Sequence, residues 1–398
     1  MPRLVALAMP GGDLLVDNLR RVWDRGDAAL VVDIRLSPAT RHDLIDELAA
    51  STVVDEYGSE TPLGGGRSVE EGDALVVATS GTTGKPKGAV LTHRAIAQHA
   101  RSSTARLMVD PDRDRWLACL PLAHVGGLSV VTRALVTGTP LTVLPGFDRD
   151  AVEVAARNGA NLVSLVPTTL ARIEPALFRK ILLGGSTPPE LPPPNAVTTY
   201  GMTESGGGVV YDGIPFDGVE IKITGTREGS SGEEGSGGGK GAGEILLRSP
   251  TLARCYRTVR EDLPVAGPGG WYATGDVGSL SETDGTKKLA VHGRADEMIV
   301  TGGENVWPAP IEALLAAHPG IADAAVAGHP DPEWGQKVVA YLVPADPTAP
   351  PTIDSIRSWV KERLSPWAAP REIVLARKIP RTESGKIRRK SLSYPTPP

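Results

Sequence analysis

Short apolar runs, separated by stretches of mixed polarity, set the pattern of this chain. Ala28–Ile34 is one such run and predicts a strand. Pro38–Ala50, with Leu44, Ile45 and Leu48 on one side, predicts a helix, and Thr52–Asp55 a second strand. This β-α-β rhythm builds parallel sheets. It recurs further on. Ala74–Ala78 reads as a buried strand and Ala89–His93 as extended, with a helix to follow over 92–108. Strands are predicted at 116–121, 141–144 and 162–167, with helices over 128–137 and 148–158 between them. Beyond residue 296 the spacing predicts a small α/β domain: helix 308–318, strands 323–328 and 336–343, and helix 353–364. In that last helix Ile356, Val360 and Leu364 recur at four-residue steps.

Composition changes the picture little. With 398 residues the chain spans two or three domains and needs no staples for its core. A net charge of -5 with no long basic run argues against nucleic acid as the main partner. Cys119 and Cys255 fit no metal spacing, so a reducing cytoplasm is expected. No apolar run approaches the length of a membrane span, and no secretory leader is evident. Residues 225–243 are a Gly/Ser/Glu-rich tract, read as a solvated loop between two strands.

The candidate chemistry begins at Thr79-Ser80-Gly81-Thr82-Thr83-Gly84-Lys85-Pro86-Lys87-Gly88. These residues combine three glycines, four hydroxyls and two lysines behind a buried strand. Glycine lets backbone N–H groups approach a ligand, hydroxyls donate to phosphate oxygens, and lysine supplies charge. The stretch predicts a polyphosphate loop rather than a flexible turn. It is not the common P-loop, because Gly81 and Gly84 lie too close together and Pro86 follows Lys85. A second stretch, Tyr200-Gly201-Met202-Thr203-Glu204-Ser205, offers a flat ring for a purine, a hydroxyl for phosphate and a hard carboxylate for Mg²⁺. Asp276, after the turn residue Gly275, suits a ribose diol, though a plain exposed turn reads the same way. Gly184-Gly185 presents bare backbone at a strand end, which turns do freely. His124, beside Gly126 and Gly127, is either a structural histidine or a pocket wall.

Together these motifs resemble those of the adenylate-forming superfamily of acyl-CoA synthetases, luciferases and nonribosomal adenylation domains. The resemblance covers roughly residues 70–392, and the segment before it is short for that superfamily. It implies an α/β fold with a large N-terminal domain, 1–295, of stacked mixed sheets and helices. A small mobile C-terminal domain, 296–398, follows a hinge at Asp296. It implies that Thr79, Ser80, Gly81, Thr82, Thr83, Gly84, Lys85, Lys87, Gly184, Gly185, Ser186, Tyr200, Gly201, Asp276 and Arg294 bind ATP. His124, Val125, Gly126, Gly206 and Gly207 border the acyl group. Thr203 and Glu204 act with the phosphates and Mg²⁺, and His124 is counted with them and Lys386 among the catalytic residues. The Gly302-Gly303-Glu304 loop faces CoA, and Lys386 is the adenylating lysine. Arg388, Arg389 and Lys390, beside it, are expected to be mostly solvated.

The implied reaction is attack of a carboxylate on the α-phosphate of ATP, then transfer of the acyl group to CoA. Within the superfamily the chain most resembles the o-succinylbenzoate:CoA ligases of menaquinone biosynthesis. An aromatic or medium-chain acyl-CoA ligase, and a free-standing adenylation enzyme for a carrier protein, remain open beside it. A non-catalytic nucleotide sensor is the alternative of a different class. If the acid carries a second carboxylate, a cation should line its pocket, and Arg133 is the candidate. Oligomeric state is left open, a homodimer included.

Overall fold

The computed structural model describes residues 1–79, 85–189, 191–225, 241–382 and 385–394. Half of the phosphate-loop expectation (80–84), most of the Gly-rich tract (226–240) and Ser384 therefore lie outside the described residues. The chain divides into two compact units. The first comprises Met1–Gly185, Pro193–Glu220 and Arg248–Tyr272; the second, Ser186–Pro192, Ile221–Leu247 and Ala273–Pro398. Both are mixed α/β.

The first unit is built on two sheets. One has eight strands, with Asp73–Thr79 antiparallel to Lys87–Thr92 and parallel to Ala28–Val31. Leu4–Leu7, which hydropathy left outside any predicted element, pairs parallel with both Ala28–Val31 and Thr52–Val54. All four of its residues are buried, because helices cover the faces of a parallel sheet and its strands need no alternation. Cys255–Arg257 and Asp262–Pro264 extend the sheet beyond Lys87–Thr92. The predicted helix forms at Pro38–Glu47, where the Ser37 hydroxyl accepts from the Thr40 N–H, and Leu44 and Ile45 face inward. They pack with Leu30, Leu48, Val76 and Val90. Each such side chain contributes about 1.5–3 kcal/mol of burial.

The second sheet has seven strands and carries Trp116–Ala118, Leu162–Leu165, Lys180–Leu183 and Ala196–Met202 in parallel. Helix Val125–Thr137 packs against it and against helix His93–Leu107. The Thr92 hydroxyl caps the latter helix on the Ala95 N–H.

The second unit carries the long hairpin Tyr272–Thr283 with Thr286–Arg294, and then a five-stranded sheet. In that sheet Gly335–Pro344 pairs with Ile321–Asp331 and Glu372–Leu375, the latter strand unforeseen by hydropathy. Two members of the predicted four-residue step, Ile356 and Val360, are fully buried against Ile311, Leu315 and Leu342; Leu364 lies beyond the helix, which ends at Lys361, and is partly buried against the same cluster. Among the described residues no helix is long and apolar enough to cross a membrane.

Candidate active site

The described ends of the Gly-rich loop are stapled together. Thr79 and Lys87 are register partners, and the Thr79 hydroxyl donates to the Lys87 carbonyl at 3.3 Å. Lys85 is exposed and paired with Glu47. The Lys87 ammonium lies 5.7 Å from the ring centre of Tyr256.

Strand Ala196–Met202 leads into a tight turn, Thr203–Ser205. Gly201 sits at a register shift where an added Cβ would lie 2.0 Å from the Gly207 carbonyl oxygen, so only glycine fits. The Ser205 hydroxyl accepts from the Met202 N–H at 3.0 Å and donates to the Gly207 carbonyl at 2.7 Å. This fixes the turn, and Glu204 within it is buried at 9% exposure. Its Oε1 accepts the Tyr256 hydroxyl at 2.7 Å, and Tyr256 in turn lies 3.4 Å from the Tyr272 hydroxyl. Burial, then these two bonds, push the Tyr256 phenol well above its ordinary pKa, so it remains a donor. Tyr200 is half-buried in register with Val210, next to Gly201.

Among the described residues no group of three or more His, Cys, Asp or Glu could hold a metal. A lone oriented carboxylate fits Mg²⁺ that arrives on substrate phosphates and keeps most of its ligands there. Among the described residues nothing donates to the second Glu204 oxygen.

Val125 and Gly206 border one small pocket with His99, Leu128, Ser129 and Thr132. His124 is the residue before helix Val125–Thr137 and is not among the residues that line this pocket. Gly126, one residue on, is exposed, and Gly207 is buried in the strand Gly207–Tyr211. His99 is fully enclosed; its Nε2 meets the Gly208 carbonyl at 2.9 Å, and burial holds it neutral with a pKa pushed down to about 3. Arg133, one turn after Ser129, is 1% exposed. Its Nε donates to the Ser103 hydroxyl at 2.8 Å and its guanidinium lies 4.6 Å from the Trp116 ring centre. Its NH1 has no hydrogen-bond partner and no carboxylate pairs with it among the described residues. Burial lowers its pKa.

The second unit holds the remaining predicted positions. Asp276 is the register partner of Arg294, which reaches the Asp276 carboxylate at 3.3 Å and the Thr274 carbonyl at 2.8 Å. Arg294 also lies 3.4 Å from Asp296. Gly184 and Gly185 end their strand in the first unit, whereas exposed Ser186 opens a segment grouped with the second. Gly302 and Gly303 form the two-residue hairpin between Ile299–Thr301 and Glu304–Val306, with φ of 60° and 86°. The Gly302 N–H donates to the Trp334 carbonyl at 2.9 Å. Lys386 is exposed in a turn where the Thr382 N–H donates to its carbonyl at 2.7 Å.

One expectation is overturned. Arg388 and Lys390 are exposed, but Arg389 is only 16% exposed and ion-paired to both Glu297 and Glu312. A guanidinium can satisfy several acceptors at once, so this member of the charge run is drawn inward. Hydropathy also missed Tyr256 and His99; their partners lie 52 and 109 residues away in sequence. The predicted site residues are therefore gathered in two sets. Lys87, Glu204, Val125 and Gly206 fall in the first unit, and Asp276, Arg294, Gly302 and Lys386 in the second.

A mixed α/β unit with a Gly-rich loop between antiparallel strands and an oriented carboxylate, followed by a second unit ending in a lysine turn, defines an adenylate-forming class of enzyme. The chain belongs to the AMP-binding enzyme family: that family matches residues 27–257, and the AMP-binding enzyme C-terminal domain matches 310–386. It is 36% identical to a probable 2-succinylbenzoate–CoA ligase of Mycobacterium tuberculosis over 97% of either chain. It is 30% identical to the 2-succinylbenzoate–CoA ligase of Geobacillus kaustophilus over 98% of this chain and 87% of that one. Its fold matches o-succinylbenzoate CoA synthetase of Bacillus subtilis in complex with the acyl-adenylate intermediate. The TM-score is 0.81 at 27% identity, covering 99% of this chain and 88% of that one. The same Bacillus enzyme is also known in complex with ATP and a magnesium ion.

Proposed function

We propose that this protein is an ATP-dependent acid:CoA ligase acting on 2-succinylbenzoate, in the cytoplasm, as a step of menaquinone biosynthesis. The observation that carries the chemistry is the Glu204 carboxylate, buried, held by Tyr256 and flanked through that same ring by Lys87. The relatives named 2-succinylbenzoate–CoA ligase support the choice of acid. Arg133, the cation expected for a second carboxylate, is buried on the helix that borders the small pocket but does not itself line it. Two buried, unbridged cysteines support a reducing compartment.

In the first half-reaction the acid's carboxylate oxygen attacks the α-phosphorus of ATP, and the bond to pyrophosphate breaks. Two anions meet, so positive charge must be arranged beforehand. The loop 79–88 holds the β- and γ-phosphates, with Thr203 donating to them. Glu204 holds Mg²⁺, which when bound neutralises phosphate charge. Tyr200 stacks on the adenine beside Gly184, Gly185 and Ser186, while Asp276 and Arg294 take the ribose. Lys386 lies between carboxylate and α-phosphate. In the second half-reaction the CoA thiolate attacks the acyl carbon and AMP leaves. With the small domain taken from residue 296, Asp296 serves as the hinge, about which that domain exchanges Lys386 for the Gly302-Gly303-Glu304 hairpin.

The test is pyrophosphate release from ATP with 2-succinylbenzoate, benzoate, indoleacetate and medium-chain fatty acids, with and without CoA. Preference for 2-succinylbenzoate, with its CoA thioester as product, is expected. Preference for a monocarboxylic acid overturns the choice of substrate, and no turnover on any acid overturns the ligase reading.

A further inference from the structure

Lys386 is a long, exposed side chain, so its reach is set by how firmly its backbone is held. The described residues of the turn that carries it are bonded to one another. The Gly385 N–H donates to the Thr382 carbonyl at 2.9 Å, the Lys386 N–H donates to the Thr382 hydroxyl at 3.0 Å, and Arg381 bridges to Ile387. Those bonds do not fix the turn to the rest of the unit. On the upstream side Arg381 does so, pairing with Asp323 at 2.6 Å and donating to the Gly385 carbonyl at 2.8 Å.

On the downstream side the anchor is Arg389. Its one guanidinium spans three elements. NH2 donates to both oxygens of Glu312, at 2.8 and 2.7 Å, on helix Pro308–Ala316. NH1 donates to Glu297 at 2.7 Å, in the turn Ala295–Glu297. Nε donates to the Val326 carbonyl at 3.1 Å, on strand Ile321–Asp331. Glu312 is itself fixed, since its Oε1 accepts the Val326 N–H at 2.7 Å. The fork geometry of arginine makes such a node directional, which a lysine cannot reproduce. Arg389 lies three positions after Lys386, so an anchored Arg389 confines the Lys386 Cα to a radius of about 10 Å.

We infer that Arg389, through Glu297 and Glu312, is a positioning residue that ties the Lys386 turn to the residue following Asp296. The inference rests on the reading of Lys386 as the adenylating lysine and goes beyond it. The lysine, Glu297 and helix Pro308–Ala316 then move as one piece on the far side of Asp296. The adenylation geometry depends on that node, and thioester formation does not.

The test uses the full-length enzyme as Glu297→Gln, Arg389→Met and Arg389→Lys, beside Lys386→Ala. Adenylation is read as 2-succinylbenzoate-dependent ATP–pyrophosphate exchange. Thioester formation is read from preformed 2-succinylbenzoyl-adenylate with CoA, and folding by thermal melting. Arg389→Met leaves the largely buried Glu312 without its counter-charge and is prone to destabilise the fold. Glu297→Gln avoids that, because Glu297 is 31% exposed and the Arg389–Glu312 pair survives. Expected is a tenfold or greater loss of exchange in Glu297→Gln with an unchanged melting point. The loss should fall on kcat rather than on KM for ATP, with thioester formation within twofold of the parent, and Arg389→Lys should not restore exchange. Parallel loss of both half-reactions, tracking the melting point, makes the node a structural staple and overturns the inference. Full exchange in the Glu297 and Arg389 variants while Lys386→Ala has lost it overturns this inference alone. Full exchange in Lys386→Ala overturns both the lysine's role and the inference.

Discussion

The Tyr256 hydroxyl donates a 2.7 Å hydrogen bond to Oε1 of Glu204, across 52 residues of sequence. The bond fixes which way a buried carboxylate points and takes up one of its two oxygens. Groups that orient a metal-binding carboxylate typically matter by 10–100-fold in metal affinity. Tyr256→Phe is therefore expected to raise the Mg²⁺ concentration needed for calorimetric ATP binding by at least about tenfold. Binding of metal-free ATP should be little changed. An identical Mg²⁺ titration in the variant would detach Glu204 from the metal.

Lys386→Ala is expected to lower adenylation by roughly 10²–10³, the usual effect of removing a group that stabilises developing charge. Thioester formation from preformed acyl-adenylate should stay near the parent rate. Equal loss in both half-reactions would sink the two-conformation mechanism.

Gly302 has a φ of 60°, and a Cβ there would lie 2.8 Å from Trp334 Cε3. Gly302→Ala adds about 1–3 kcal/mol of backbone strain and pushes against a fixed indole. The expected outcome is loss of thioester formation with pyrophosphate exchange retained, the mirror image of Lys386→Ala. Stopped-flow assay of each half-reaction checks it.

His99 makes stability depend on pH. Its folded pKa, about 3, lies below the ordinary 6.5, so the folded state favours the neutral ring. The unfolded chain takes up a proton as pH falls through 6.5 while the folded chain does not. Stability from this group is thus complete above about pH 6.5 and is lost from there down towards pH 3, by roughly 2 kcal/mol at pH 5. His99→Gln keeps an N–H donor for the Gly208 carbonyl and removes the titration. Urea unfolding at pH 7.5 and pH 5 should show a smaller difference for the variant; an equal difference places the pH dependence elsewhere.

Arg133→Met removes a buried guanidinium whose NH1 has no partner among the described residues. Replacing a buried, poorly paired charge by an apolar side chain is often neutral or stabilising. If Arg133 meets the second carboxylate of the acid, the variant melts no lower than the parent. It loses about a hundredfold in kcat/KM for 2-succinylbenzoate, the worth of a charged hydrogen bond, and little for benzoate. Proportional loss on both acids would deny it that role.

The family was legible in the chain itself, because its signatures are local. The glycines, hydroxyls and lysines of 79–88 lie within ten residues, and Tyr200 to Ser205 within six. The two-domain α/β layout was legible too, since apolar runs and four-residue steps such as Ile356 and Val360 report burial directly. Tertiary structure alone decided the rest. Leu4–Leu7 reads as an isolated apolar run and becomes a strand only through its pairing with Ala28–Val31 and Thr52–Val54. Tyr256 becomes Glu204's partner only when Cys255–Arg257 adds to the sheet beside Lys87–Thr92. Arg389 looks the same as Arg388 and Lys390 along the chain, yet it alone of the three is ion-paired among the described residues, with acids 92 and 77 residues away. Periodicity carries which side of an element is apolar. Which polar group a buried arginine or tyrosine will meet depends on how distant elements pack, and no local pattern encodes that.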